Sequence, residues 1–537
     1  MKNFGWIGRR DVMRLLGVGG AALAAGLPDR VHAASNKNTL VLGLDISDTI
    51  SLDPAREAQY TPPLTVTASY ESLVTMTPGD YMAVKPALAT SWARTPDGQG
   101  WRFTMREGAK FNSGNPVTVE DVKWTLERVM RVKDQPSQYL SAVDRVEIVD
   151  PKTVDVIMKD PKAPILTVLS GPTNGIMEKA VVEKRGGTNA PNANTEDKAT
   201  VWLNQNSAGA GPFTLVNWTR NAQILLTRNP HYWRGPAPFE RVVIRHMGDS
   251  ATQLLAVKRG DIDAAFNLIP EQVTSLKGDA HVRVQGLESL DFVYMALTSE
   301  PDFNKALAVK EARQAVAWAI DYDGIINNLL GGTALRCASF IPIGLFGSTK
   351  ETTGQIGYKQ DLDKAKALLA KAGFPDGFEF KLSYGDAAVS GLSYSVLAQK
   401  LQADLARVGI KVILDPMDQV NLRTQYTTGK STAVLTFWNP SGVEIDGWAS
   451  ATVQRVAKRV HMTPSPELVK LTQEAAAETD AAKKSAMYAE YQKAIIDQAN
   501  LLVLFQPVYQ FAVRDTIKSF PLTAAGWQVE LFQVQQA

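Results

Sequence analysis

From residue 39 onward, segments with the two-residue period of a strand alternate with segments of helical period, and this interleaving limits the chain to a mixed α/β architecture. Residues 39–46 (T-L-V-L-G-L-D-I) read as a buried first strand. Trp101, Phe103 and Met105 alternate with Arg102, Thr104 and Arg106, as on a half-buried strand. Residues 145–158 predict a hairpin turning at Asp150-Pro151-Lys152, and residues 213–227 a second one turning near Thr219-Arg220-Asn221. Between them, Thr118 is placed to cap a helix that carries Val122, Thr125, Leu126, Val129 and Met130 on one face. Residues 361–372 predict another helix, stopped by Gly373 and Pro375. Residues 466–499 carry one or two more before a strand-like stretch at 501–505.

With 537 residues the chain exceeds what one hydrophobic core usually serves, so two or three domains are expected. Several chemistries are excluded early. The single cysteine, Cys337, permits neither an intramolecular disulfide nor a thiolate metal cluster. The five histidines fall in no metal-binding pattern, and no nucleophile elbow or phosphate-binding loop is present. The formal charge of +2 is concentrated in the first thirty-three residues, leaving a near-neutral body with no electrostatic call for nucleic acid.

Residues 1–33 read as an export signal. Arg9-Arg10-Asp11-Val12-Met13-Arg14 resembles the twin-arginine motif, and an ordinary Sec signal is the alternative. The apolar stretch at 15–27 is diluted by Gly17, Gly19, Gly20 and Gly26, and it falls short of the roughly 20 residues that span a bilayer. Val31-His32-Ala33 is a small-residue cleavage pattern, with Ala34 as the expected new start and no cysteine nearby for a lipid. The mature protein is therefore expected to be periplasmic.

Several segments then match one family in order. They include Leu52-Asp53-Pro54, Tyr70-Glu71-Ser72-Leu73, residues 86–92, Asp97-Gly98, and Phe111-Asn112-Ser113-Gly114. Gly211-Pro212-Phe213, residues 228–233, Gly260-Asp261-Ile262-Asp263, Arg313-Gln314-Ala315 and residues 363–374 follow. Together they resemble the extracytoplasmic solute-binding proteins of the peptide/opine/nickel class (family 5), the receptors of ABC importers. The matched residues are read as structural. The resemblance implies an α/β, two-lobe periplasmic-binding-protein fold with two hinge crossings and an extra subdomain in lobe one. Lobe one would hold residues 35–292 plus 506–537, with the subdomain at about 70–207, and lobe two residues 293–505. It also implies a small-molecule ligand, importer permease subunits in the inner membrane as partners, a monomer, no cofactor and no catalysis. An exported enzyme and a peptide-holding chaperone on the same scaffold are the alternatives.

The ligand-binding residues expected from the resemblance are Gln59, Tyr60, Tyr384, Trp438, Asn439, Ser441 and Asp446. Peptide receptors of the family resemble one another in holding the ammonium with an Asp three residues after a Trp; here that position is Ser441, after Trp438. The Arg that dipeptide binders use for the carboxylate aligns with Ala388. Both charge partners are thus missing at the family positions, so a simple dipeptide is expected to bind weakly. Asp446, with Glu444 beside it, is a replacement cation partner or else a capping or surface carboxylate. Trp438 is expected on the cleft wall, Trp448 in the core, Arg336 as a solvated loop residue rather than an anion contact, and Cys337 as a small buried residue.

Overall fold

The computed structural model describes residues 38–537, apart from 58, 78–79, 162, 164, 346, 387, 439–444, 479 and 525–527. The expected export signal lies outside the described residues. The first strand is Thr39–Leu44, and its alternation sorts side chains between two cores: Leu40, Leu42 and Leu44 enter one, Val41 the other. It pairs in parallel with Arg241–His246 and Ala264–Ala265. The hairpin expected over 213–227 is Phe213–Thr219 against Gln223–Arg228. It turns through Asn221 at φ 53°, a left-handed conformation that Asn tolerates.

Residues 145–158 form the antiparallel pair Val143–Asp150 and Thr153–Met158, half of a separate four-stranded sheet completed by Ala89–Arg94 and Gly100–Met105. The helix Val119–Val132 packs its apolar face on that sheet. A reciprocal cap starts it. The Asp121 backbone N–H donates to the Thr118 hydroxyl (3.3 Å), and the Thr118 backbone N–H donates to the Asp121 carboxylate (3.0 Å). Residues 466–499 make two helices, Pro466–Ala477 and Ala481–Gln498.

A twelve-stranded sheet organises the rest of the described chain, running from Lys411–Met417 at one edge to Phe213–Thr219 at the other. Phe292–Leu297 lies at its middle and is buried on both faces. Val293, Met295 and Leu297 enter one core, while Phe292, Tyr294 and Ala296 enter a second. Its neighbour was expected to end near Phe505 but continues from Leu501 to Arg514. The first part of that strand pairs with Phe292–Leu297, Leu501 facing Ala296 and Phe505 facing Val293. Its last part pairs with Val282–Glu288, Val508 facing Glu288 and Arg514 facing Val282. One long strand thereby ties the two halves of the sheet together. Among the described residues, no helix is long and apolar enough to cross a membrane.

Candidate functional site

A cleft of about 1220 Å³ opens where segments far apart in sequence meet. One wall comes from the loop after the first strand, residues 45–61, and the floor from Val508–Phe511 of the long strand. The facing wall comes from Tyr294, the end of strand Ala433–Trp438, helix Gln419–Thr427, and residues 448–459. Clefts of this kind, with a few convergent polar groups, are where folded proteins take small molecules.

The first wall is acidic. Asp48 accepts the backbone N–H groups of Tyr60 (3.0 Å) and Thr61 (2.9 Å) on one carboxylate oxygen, while its other oxygen is buried with no hydrogen-bond partner. Glu57 is only 1 % exposed, and its Oε1 is likewise unpartnered. Burial pushes the Glu57 carboxyl up to about 8; a hydrogen bond from the Gln59 backbone opposes this, and the Asp48 charge adds to it. Gln59 contributes a third buried and unpartnered oxygen. Tyr60, 39 % exposed, stands edge-on to Tyr509 at 6.1 Å and accepts a hydrogen bond from the Gln528 amide. Tyr509 in turn donates to Asp291, whose carboxyl burial pushes up to about 6.

The second wall is aromatic and basic. Tyr294 donates to Tyr426 (3.0 Å), and Phe340 packs edge-on against Trp438 at 5.3 Å. Helix Ile445–Ala451 continues through a wide π turn, Thr452–Val456, into Ala457–Arg459. Insertions of this type recur at functional sites because they re-aim side chains. Arg455 lies 5.7 Å from the Trp438 ring centre and Arg459 5.2 Å from that of Tyr426, both within cation–π reach. Burial, and after it the Arg459 charge, hold the Arg455 guanidinium below its ordinary value. Arg459 keeps a buried, unpartnered Nε, and Trp438 a buried, unpartnered indole N–H. Arg423 adds a third cation from helix Gln419–Thr427.

Of the residues expected to bind ligand, the structure brings Gln59, Tyr60 and Trp438 to this cleft. Tyr384 is not with them: it is 6 % exposed on strand Glu379–Gly385, packed in the core beside Leu382 and Tyr394, and absent from the lining. Asn439 and Ser441 lie outside the described residues, as does Glu444 and the side chain of Asp446. Ala388 lines the cleft at the foot of a tight turn through Ser390 (φ 52°) and Gly391 (φ 80°), a mirror-type hairpin turn. Trp448 is buried against Phe292, with one edge reaching the cleft.

Arg336 corrects the expectation of a solvated loop residue. Its guanidinium lies 3.7 Å over the Tyr322 ring and donates to the backbone carbonyls of Cys337 (2.6 Å) and Tyr358 (3.0 Å), so it ties loops together. Cys337 is fully buried as expected, and burial pushes its thiol up to about 11. Sequence reasoning missed Asp48, Glu57, Arg455, Arg459 and Tyr509. The available signals were Glu57 beside the noted Gln59-Tyr60 pair, and the four-residue spacing of Arg455 and Arg459, which puts them near one another on a helix.

Comparison with known proteins bears on this cleft. Residues 83–453 match the family described as "Bacterial extracellular solute-binding proteins, family 5 Middle". The probable D,D-dipeptide-binding periplasmic protein DdpA of Escherichia coli K12 is 31% identical over 498 residues, covering 91% of this chain and 92% of that protein. Di/tripeptide-binding protein 2 of Pseudomonas aeruginosa UCBPP-PA14 is 24% identical over 499 residues, covering 88% and 90%. Among solved structures, HbpA2 from Haemophilus parasuis superposes with a TM-score of 0.79 at 21% identity, covering 93% of this chain and 100% of that one. AgaA in complex with agropinic acid, from A. tumefacien R10, gives a TM-score of 0.72 at 25% identity, covering 93% and 99%.

Proposed function

Because the chain belongs to the bacterial extracellular solute-binding proteins, family 5, we propose that it is a periplasmic receptor that captures a peptide-like solute and delivers it to the permease subunits of an ABC importer. The observation that carries this reading is the cleft, whose two walls come from residues 45–61 and from residues 419–438 and 448–459, and each keep buried polar atoms without partners. The relative at 31% identity is named for dipeptides and the next for di- and tripeptides, which supports a peptide-like ligand here. An exported enzyme or a chaperone finds no such support among these relatives. The work is done by binding alone. A solute that touches both walls stabilises the form in which they are closest, and the importer reads that form.

In this reading lobe one comprises residues 35–292 plus 506–537, with a subdomain at about 70–207, and lobe two comprises 293–505. The two crossings fall near residues 292–295 and 501–506, within the antiparallel pair of strands Phe292–Leu297 and Leu501–Arg514. Gln59, Tyr60 and Trp438 contact the ligand, with Asn439, Ser441 and Asp446 from the adjoining segment, and the receptor acts as a monomer. A true ligand is expected to stabilise the protein by about 2.7 kcal/mol at 100 times its dissociation constant, because it binds only the folded state. It is also expected to shrink the radius of gyration in solution scattering. A tight ligand that leaves the scattering curve unchanged would remove the basis for lobe closure.

Export through the twin-arginine route is part of the proposal. The warrant is Arg9-Arg10 ahead of a glycine-diluted apolar stretch. Converting both to lysine (R9K/R10K) is expected to leave uncleaved precursor in the cytoplasm, whereas the unaltered chain starts within two residues of Ala34. Cell fractionation with N-terminal sequencing distinguishes the cases, and normal processing of the double variant would point to the Sec route.

A further inference from the structure

Two segments far apart in sequence meet at the edge of the cleft, and Leu268, Pro270 and residues 388–391 all line it. One is the hairpin of Ala388–Val389 against Leu392–Ser393. Its base is anchored in the core that holds Tyr394 and Leu397: Leu392 is buried there and Val389 packs against it. Its tip is the two-residue turn Ser390-Gly391, at φ 52° and 80°. A turn of this type needs a left-handed backbone at both positions, and Asn or Asp is the usual choice for the first. Serine is strained there, and such strain persists only where the surrounding structure holds it. What the tip meets is Ile269. A Cβ on Gly391 would lie 2.9 Å from the Ile269 Cγ2 and 3.1 Å from its Cβ, so only glycine permits this approach.

The other segment, Ile269-Pro270, is a stiff knob. The Ile269 N–H donates to the Gln272 side-chain oxygen (3.1 Å), and the Gln272 amide donates to the Ser250 hydroxyl (3.0 Å). The Ile269 carbonyl accepts the Val273 N–H (3.0 Å), and the Pro270 ring fixes its own φ. Pro270 also faces a second left-handed glycine, Gly331 (φ 56°), where a Cβ would lie 3.4 Å from the Pro270 Cβ. The Gly331 loop is tied to the long strand, because the Val508 N–H donates to the Thr333 carbonyl (3.0 Å). It therefore stays beside the knob, whereas the hairpin belongs to the core of lobe two and is carried with that lobe. Taking the two-lobe receptor reading above, on which this step rests, we propose that the turn Ser390-Gly391 is a clasp that seats on Ile269-Pro270 when the lobes close and leaves it when they open. The clasp holds the closed form by direct contact between the lobes. The empty receptor therefore already spends part of its time closed, and a solute shifts that balance rather than creating it. Its apparent affinity is scaled by the closed fraction it finds.

The test uses the mature protein carrying I269C/G391C. The 3.1 Å separation falls just short of the Cβ–Cβ range of a disulfide, about 3.5–4.5 Å, and a small shift of the hairpin tip supplies the difference. Cys337 is fully buried and stays in place, with the single variants I269C and G391C as its controls. Oxidation is expected to form the cross-link, seen as a change in gel mobility that dithiothreitol reverses. The cross-linked protein is expected to have the smallest radius of gyration in solution scattering without any solute. Ile269→Asp puts a charge into the apolar contact and is expected to give a larger radius than the parent. Circular dichroism shows whether that variant folds, and I269A takes its place where it does not. A parent that scatters like the cross-linked protein, beside a larger I269D, means that the clasp is already made without solute. A parent between the two means that it is made part of the time. Failure of the cross-link to form overturns the clasp, as does an I269D protein that scatters like the parent. The receptor reading is tested separately, by a thermal-shift screen of the parent against di- and tripeptides, opines and sugars. A stabilising solute beside a failed clasp leaves that reading standing, and a working clasp with no stabilising solute counts against it alone.

Discussion

Replacing Arg128 with Met is expected to cost the folded protein about 3–5 kcal/mol, the usual result of leaving buried charge without its counterion. Arg128, Asp53 and Asp197 all have fully buried side chains. The guanidinium donates to both oxygens of Asp53 (2.8 and 2.7 Å) and to both oxygens of Asp197 (2.8 and 2.8 Å). Such two-pronged pairing is the strongest form of a charge-assisted hydrogen bond. Burial by itself would raise the Asp53 carboxyl, but the Arg128 charge and hydrogen bonds overcome it and hold that carboxyl below its usual range. With Arg128 gone, two carboxylates remain in the interior with only neutral donors, the Thr200 hydroxyl and the backbone N–H groups of Ala55 and Thr188, to offset their desolvation. The denaturant midpoint should fall sharply. R128M/D53N/D197N should recover much of the loss, because it removes the stranded charges as well as the cation. An R128M protein as stable as the parent would show that the triad contributes nothing net. None of these three residues lines the cleft, so a folded variant should keep its ligand affinity.

Glu57→Gln is expected to stabilise the protein at alkaline pH. The unfolded carboxyl titrates near 4.5 and the folded one near 8, raised by burial, with a backbone N–H from Gln59 opposing and Asp48 adding to the rise. Between these values the folded state holds a proton that the unfolded state has lost. Stability therefore falls as pH rises through that window and is lowest above about 8. A rise of this size corresponds to roughly 3–5 kcal/mol at most. The glutamine variant has no proton to lose, so its advantage should be absent below pH 4.5 and complete by pH 8.5. Denaturation curves at several pH values measure this directly. Parallel pH profiles for variant and parent would contradict it.

Local chemistry was legible in the sequence, for a physical reason: a cap, a turn or a strand face is settled by residues within a few positions of one another. Thr118 starts its helix, Asn221 turns its hairpin, and Leu40, Leu42 and Leu44 face one core, each as its own neighbourhood dictates. The family resemblance was likewise readable, because its markers are turns and buried packing residues such as Asp97-Gly98 and Phe111. The exact extent of the strand Leu501–Arg514 was not, since Gln506 and Pro507 interrupt its apolar run and only its distant partners carry it onward. Arg336 read as solvated because nothing near it in sequence reveals that Tyr322 and the carbonyl of Tyr358 will enclose it. Glu57 is the extreme case. A lone Glu57 reads as ordinary surface charge, because nothing near it in sequence shows that the fold leaves it only 1 % exposed. The amino-acid sequence alone determined the elements, the cores and the family of this protein. Which residues line the cleft was decided only when the tertiary structure brought residues 45–61 together with residues 419–438 and 448–459, because desolvation depends on what covers a group and that cover is remote in the chain.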